Sequence, residues 1–310
     1  MKYKEWLKIW LENYVKPTLK HRTYMRYESI VSNHIIQKLG DYEINELSPL
    51  AIQTNITEMI NAGNTKTGGA LSANTVNSII TIIQKSLKTA YENNLTTSYM
   101  ANKIKRPKTD ETSVECFNLA EQKKIEKAVL EDKRHKMFGI ILCLYTGLRI
   151  GELLALKWSD IDFKKGEISV TKTCYDDTVN GHFCRMIDTP KTKKSKRQIP
   201  IPKQLIPMLK EIKNKNGSEW VVGDKEKTIF IRSYQSSFAL LLKKLNIPHH
   251  GFHSLRHTFA TRALESGMDV KTLSEILGHK NSATTLNRYA HSMLAHKHET
   301  MNKLGKMINF

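Results

Sequence analysis

The sequence predicts a mainly α-helical protein of two domains, a helical bundle followed by a mixed α+β domain in which helices surround a small antiparallel sheet. Three observations support this. Apolar residues recur at helical spacing through roughly the first hundred positions. A polar, proline-interrupted stretch beginning Asn102-Lys-Ile-Lys-Arg106-Pro107-Lys108 then separates two halves of different character. Beyond it, segments of alternating polarity sit between strongly apolar helices. The expected division is a helical domain over 1–101, a linker over 102–115, a second domain over 116–292 and a tail over 293–310.

In the first domain, Trp6, Leu7, Trp10, Leu11 and Tyr14 form a helical stripe from Lys4 to Tyr14, stopped before Pro17. An aromatic stripe at this spacing reads as core. Thr23 to Leu39 predicts a second helix, with Tyr24, Tyr27, Ile30, Val31 and Ile35 turned inward and Gly40 at its end. Ser48-Pro49 has the pattern of an N-cap and first helical position for a third, running to Ile60. Ser72 caps a long fourth through Val76, Ile79, Ile80, Ile83, Leu87 and Tyr91.

In the second domain, Asn118 and Glu121 make a capping-box start. Phe138 to Tyr145 is an apolar helix broken by Gly147, and Ile150 to Leu156 is the next. Glu167 to Thr173, Phe183 to Asp188 and Arg197 to Ile201 read as strands, and Lys203 to Ile212 and Ser233 to Leu245 as helices. Ser254 to Glu265 is an amphipathic helix closed by Gly267, followed by one capped by Asp269 and ended by Gly278. Ser282 to Arg288 is a short polar segment, and His291 to Asn309 is weakly amphipathic and helical.

Lys plus Arg exceed Asp plus Glu by 49 − 30 = +19, and the pI is about 9.6. Such an excess points to a polyanion, nucleic acid first, although a generally basic protein shares it. Cys116, Cys143, Cys174 and Cys184 lack metal-site spacing and read as reduced thiols; Cys174 and Cys184 would face one another across a hairpin without forming a structural disulfide. No apolar run reaches the roughly 20 residues of a membrane span, and no signal peptide opens the chain. The expected location is the cytoplasm, with the nucleoid DNA, and no membrane partner is expected.

Two clusters carry chemistry. The first is His253-Ser-Leu-Arg256-His257 with Leu277-Gly278-His279, and then Tyr289 ten positions on. An Arg offers a fork of donors for phosphate, a His exchanges protons near neutrality, and a Tyr hydroxyl becomes a nucleophile once deprotonated. The second is Arg149-Ile-Gly-Glu152, in which Arg149 falls in a tight turn between two apolar helices. A guanidinium buried there needs a partner, and Glu152 is the candidate. Each residue alone has an ordinary structural reading; the set is harder to explain that way.

These residues give the chain its resemblance to the tyrosine recombinases of the phage-integrase family. Thr146-Gly-Leu-Arg149-Ile-Gly-Glu152-Leu, His253-Ser-Leu-Arg256-His257-Thr-Phe-Ala, Leu277-Gly278-His279 and Tyr289-Ala-His291 match its motifs in type, order and approximate spacing. The Thr-Thr-Leu-Asn-x-Tyr ending looks like the branch found in integrases of phages and conjugative elements of Gram-positive bacteria. The resemblance implies a core-binding domain, a catalytic domain, double-stranded attachment-site DNA as substrate and a homotetramer on synapsed DNA. Accessory proteins for excision or bending belong to that picture, and no cofactor does. It assigns Tyr289 as nucleophile, Arg149, Arg256 and His279 as phosphate-bracing groups, and His253 as base. Glu152 supports them. Lys191 is the leaving-group acid on a cationic turn, with Lys193 the competing assignment or a DNA contact. Lys103, Lys105, Arg106 and Lys108 of the linker are expected to pair with phosphates.

Three rivals stand beside this. His253 and His257 at i, i+4 with His279 suit a zinc hydrolase, although Ser254 occupies the place of the usual Glu and Arg256 would be repelled by a divalent ion. A type IB topoisomerase shares the chemistry without exchanging partners. A non-catalytic DNA-binding module has no need of the full residue set. Within the family, the chain starts directly in the core-binding helices, which leaves a chromosome-dimer resolvase as an alternative to a mobile-element integrase.

Overall fold

The computed structural model describes residues 1–310 apart from 66, 99, 100, 110–113, 133, 180, 189–195, 224–228, 280, 290–300, 303, 304 and 306–310. The chain divides into two compact units, Met1–Thr112 and Ser113–Phe310. No helix among the described residues is long and apolar enough to cross a membrane.

Unit 1 is helical. Helix α1 (Tyr3–Trp10) continues into a wider π turn (Leu11–Val15) in which the Lys16 amide reaches back five residues to the Leu11 carbonyl, 2.9 Å. The expected second helix is divided in the same way, into α2 (His21–Ile30), a π turn (Val31–Ile35) and α3 (Ile36–Leu39). A 3.6-residue repeat does not announce such insertions. Helices α4 (Pro49–Ala62) and α5 (Ala73–Glu92) start where expected, with the Ser48 and Ser72 hydroxyls accepting from the amides of Ala51 and Thr75. The stripe is core except at its end: Trp6, Leu7, Trp10 and Leu11 are buried, Tyr14 is exposed and donates its hydroxyl to Asn93 Oδ1 at 2.8 Å, and Tyr3 and Trp6 tie α1 to Ser86 of α5 by side-chain hydrogen bonds of 2.6 and 3.1 Å.

The expected linker is not a free tether at its start. Ile104 joins the core of unit 1, and the Lys105 amide donates to Gln53 Oε1, 3.0 Å. Arg106 donates to the Asn77 carbonyl (3.0 Å), Thr81 Oγ1 (3.1 Å) and Gln84 Oε1 (2.6 Å), all on α5. The Arg106 guanidinium thus fastens this segment of chain to the bundle while staying exposed. Lys103, Lys105 and Lys108 are exposed.

Unit 2 opens with α6 (Leu119–Glu131) under the Asn118–Glu121 capping box. Helix α7 (Phe138–Thr146) is apolar on nearly all faces and lies in the core. Helices α8 (Ile150–Leu154), α9 (Leu205–Asn216), α10 (Ile231–Lys244), α11 (His253–Glu265), α12 (Val270–Leu277) and α13 (Ser282–Tyr289) follow, with α11 packed on α7 and α12 on α13.

The strands correct the expected single sheet. Among the described residues β1 (Ile161–Asp162), β2 (Glu167–Val170) and β5 (Arg197–Pro200) form one antiparallel sheet in the order β1-β2-β5. A separate hairpin pairs β3 (Thr173–Val179) with β4 (His182–Asp188). In that hairpin Cys174 stands opposite Ile187 and Cys184 opposite Asp177, so the two thiols do not face one another. All four cysteines are free. The segment expected as a polar stretch before Tyr289 is α13, and the expected tail helix lies almost wholly outside the described residues.

Candidate active site

The turn between α7 and α8 fixes the first cluster. Gly147 is left-handed (φ 64°) and caps α7, and a Cβ there would lie 2.5 Å from Phe259 Cδ1. Two residues on, Arg149 is the N-cap of α8, and its amide donates to Glu152 Oε2 at 2.9 Å while its Nη1 donates to Oε1 at 2.8 Å. The pairing is as expected, but the burial is not: the Arg149 side chain is 36% exposed, whereas Glu152 is 6% exposed.

The deeply buried partner of Glu152 is a residue that sequence reasoning read only as the start of a strand. Arg197, on β5, is 5% exposed and donates to both carboxylate oxygens, Nη1 to Oε1 at 3.0 Å and Nη2 to Oε2 at 2.8 Å. Its Nε donates to the Ile276 carbonyl near the end of α12. Burial alone would push the Glu152 carboxyl up. The hydrogen bond and charge of Arg197, with the charge of Arg149, outweigh that and hold it at about 2.

Among the described residues Arg256 is the most enclosed cation, 2% exposed in the first turn of α11. It donates to two backbone carbonyls, Gly147 (2.7 Å) and Leu277 (2.6 Å), and to His279 Nε2 (3.1 Å). Burial first, then the like charge of Arg149, pulls its guanidinium down to about 9, still protonated at neutral pH, while Glu152 works in the opposite direction. An Arg has only donors, so His279 Nε2 accepts, and in the neutral ring Nδ1–H must then be the donor to Thr285 Oγ1, 2.7 Å away. Thr285, fully buried on α13, was not foreseen as the partner of His279.

Tyr289 ends α13 and is 3% exposed. Its hydroxyl lies 2.6 Å from His257 Nδ1, and the negative charge of its phenolate form acts on Arg256. His253, expected as the base, is exposed one turn earlier on α11, its ring edge-on to that of His257 at 4.6 Å. Arg149, Glu152, Arg197, Arg256, His257, His279 and Tyr289 are thus linked through hydrogen bonds and charge, with His253 against His257. Lys191 and Lys193 lie outside the described residues. The zinc alternative required His253, His257 and His279 around one point. Instead both ring nitrogens of His279 are engaged by Arg256 and Thr285, and His257 gives Nδ1 to Tyr289.

Residues 115–296, more than half of the chain, match the sequence model described as Phage integrase family. The chain belongs to the phage integrase family. Its residues 2–60 match the phage integrase N-terminal SAM-like domain. It is 33% identical to a protein called tyrosine recombinase XerC-like from Caldanaerobacter subterraneus subsp. tengcongensis, over 95% of this chain and 81% of that one. It is 26% identical to the ICEBs1 integrase of Bacillus subtilis, over 93% and 79%. With the transposase from transposon Tn916 of Enterococcus faecalis it shares 33% identity over 54% of this chain and 45% of that one. The fold is also that of the Tn1549 transposon integrase solved with transposon right end DNA, with a TM-score of 0.81 and 24% identity over 98% and 100% of the two chains. Family membership makes this chain a DNA strand-transferring enzyme, a tyrosine recombinase.

Proposed function

We propose that the chain is the site-specific recombinase of a mobile element, cutting and rejoining double-stranded DNA at attachment sites through a 3′-phosphotyrosyl intermediate. The observation that carries this reading is the charge balance around Arg256. Three guanidinium groups, Arg149, Arg197 and Arg256, interact with one carboxylate, Glu152, which leaves a formal 3 − 1 = +2 in a largely buried site within electrostatic reach of Tyr289. A phosphodiester carries one negative charge and gathers more on its non-bridging oxygens as it is attacked. Fixed cations in a largely buried site therefore hold the transition state more tightly than the ground state.

In the proposed reaction the Tyr289 phenol oxygen bonds to phosphorus, the bond from phosphorus to the 5′-oxygen breaks, and that oxygen leaves with a proton. The 5′-hydroxyl of a partner strand then reverses the step. One phosphodiester replaces another, so no cofactor is required. Arg149, half exposed, is the guanidinium an incoming phosphate meets first, and Arg256 braces from below. His279 becomes a donor to phosphate once its Nε2 is protonated. Lys191 supplies the proton to the 5′-oxygen, with Lys193 as the competing residue. Synapsis by a homotetramer, accessory proteins that bend DNA or direct excision, and backbone contacts by Lys103, Lys105, Arg106 and Lys108 complete the proposal.

A second reading, chromosome-dimer resolution, is favoured by the XerC-like relative, which is similar over 95% of this chain. The ICEBs1 and Tn916 relatives favour the mobile element. Plasmids carrying the DNA that flanks the coding region separate the readings. Recombinant junctions between those flanks support the mobile element, junctions only at a chromosomal dimer-resolution site support the resolvase, and relaxed supercoils without junctions contradict both.

A further inference from the structure

We infer that His257, rather than His253, takes the phenol proton of Tyr289 during attack and returns it when the phosphotyrosyl bond is broken. The inference rests on Tyr289 being the nucleophile and goes beyond that assignment by naming the group that activates it. A phenol of pKa about 10 is almost wholly protonated at neutral pH, so attack needs a base. With Tyr289 only 3% exposed, solvent has little access to the hydroxyl, and the base must come from the protein.

The contact is short and specific. His257 Nδ1 lies 2.6 Å from the hydroxyl oxygen, within the range for proton transfer to a positioned base. The rings are 5.8 Å apart and inclined by 55°, an arrangement that leaves the hydroxyl, rather than the ring face, against the imidazole. The two residues come from different helices, α11 and α13. His253 meets the ring of His257 edge-on at 4.6 Å and stands exposed.

The step balances. The phenol O–H donates to the Nδ1 lone pair of a neutral His257 that carries its own proton on Nε2. As the bond from oxygen to phosphorus forms, the phenol proton passes to Nδ1, giving imidazolium, and the 5′-oxygen leaves with the proton that Lys191 supplies. In the reverse step the departing phenolate recovers the proton from Nδ1.

The test uses the full chain and a nicked duplex from which the cleaved strand diffuses away, with single-turnover formation of the covalent adduct as readout. His257→Asn places an amide oxygen near the position of Nδ1, so it keeps a hydrogen bond to the phenol without being able to take its proton. It is expected to bind the duplex as wild type does and to form adduct about 10² to 10⁴-fold more slowly. Free imidazole is expected to restore part of the rate to His257→Ala and none to Tyr289→Phe. A His257→Asn rate within about threefold of wild type overturns the inference, because general acid–base catalysis contributes far more than that. So does imidazole rescue of His253→Ala without rescue of His257→Ala. In wild-type protein labelled with ¹⁵N at histidine, His257 is expected to show an unprotonated Nδ1, and a neutral ring protonated at Nδ1 contradicts the inference without any variant. If wild type itself forms no adduct, the strand-transfer reading fails, which is a separate result.

Discussion

Arg197 lays both terminal guanidinium nitrogens against the two carboxylate oxygens of Glu152, at 3.0 and 2.8 Å, with both side chains almost completely buried. Through its Nε bond to the Ile276 carbonyl it also joins β5 to the end of α12, just ahead of His279. Removing one partner of such a pair leaves a buried charge uncompensated. Arg197→Ala is therefore expected to lose about 3–5 kcal/mol in urea unfolding. Arg197→Lys is expected to recover little of it, since a point charge cannot replace the fork. Loss of less than about 1 kcal/mol, the value typical of an exposed pair, would show that the pair is not structural.

Glu152 gives the fold an acid-sensitive element. Its carboxyl titrates at about 2 in the folded chain against 4.5 as its ordinary value. A depressed pKa adds stability that is complete above the ordinary value and is lost as pH falls toward the folded one. The window is thus pH 4.5 down to 2, and the contribution is about 3 kcal/mol. Wild type should lose stability more steeply across this window than Glu152→Gln, although the variant is less stable at pH 7. Parallel slopes in denaturant titrations at several pH values would contradict this.

Gly147 serves packing and hydrogen bonding at once. Its φ of 64° disfavours any side chain, a Cβ would meet Phe259 at 2.5 Å and Leu277 at 2.9 Å, and its carbonyl accepts from Arg256. Gly147→Ala is expected to cost about 1–3 kcal/mol and to slow adduct formation by displacing Arg256. Thermal unfolding together with single-turnover cleavage checks both.

Thr285 fixes the ring of His279. Thr285→Val leaves the Nδ1–H of His279 facing an apolar methyl in a buried site, at a cost of about 1–3 kcal/mol. Released in this way, the ring is expected to support cleavage about tenfold more slowly, the factor that corresponds to 1.4 kcal/mol. Thr285→Ser keeps the hydroxyl and should retain the wild-type rate, and DNA binding should be unchanged in both.

Much of the fold was legible because the helices announce themselves through caps and periodicity: Ser48, Ser72, Asn118 and Asp269 all cap the helices assigned to them. The π turns after Trp10 and Ile30 were not, since one inserted residue leaves the apolar spacing almost intact. The second sheet was missed because β2 and β3 are separated by only Thr171 and Lys172 and read as one run. At the site, motif residues stood out by type and spacing. Arg197 did not, because in sequence it is the last of five cations crowded between Lys191 and itself, and only tertiary burial sets it apart. His257 and Thr285 were hidden for a related reason. Their partners, Tyr289 and His279, lie 32 and 6 positions away, and which histidine of a pair meets the phenol depends on the rotation of α11 against α13.

The most direct test of the whole account is to trap the protein on a nicked duplex, digest the adduct with protease and locate the modified residue by mass spectrometry. A 3′-phosphate ester on the Tyr289 phenol oxygen, absent from Tyr289→Phe protein that still binds the duplex, is the predicted result. An adduct on another residue, or strand cleavage that persists in Tyr289→Phe, would contradict it.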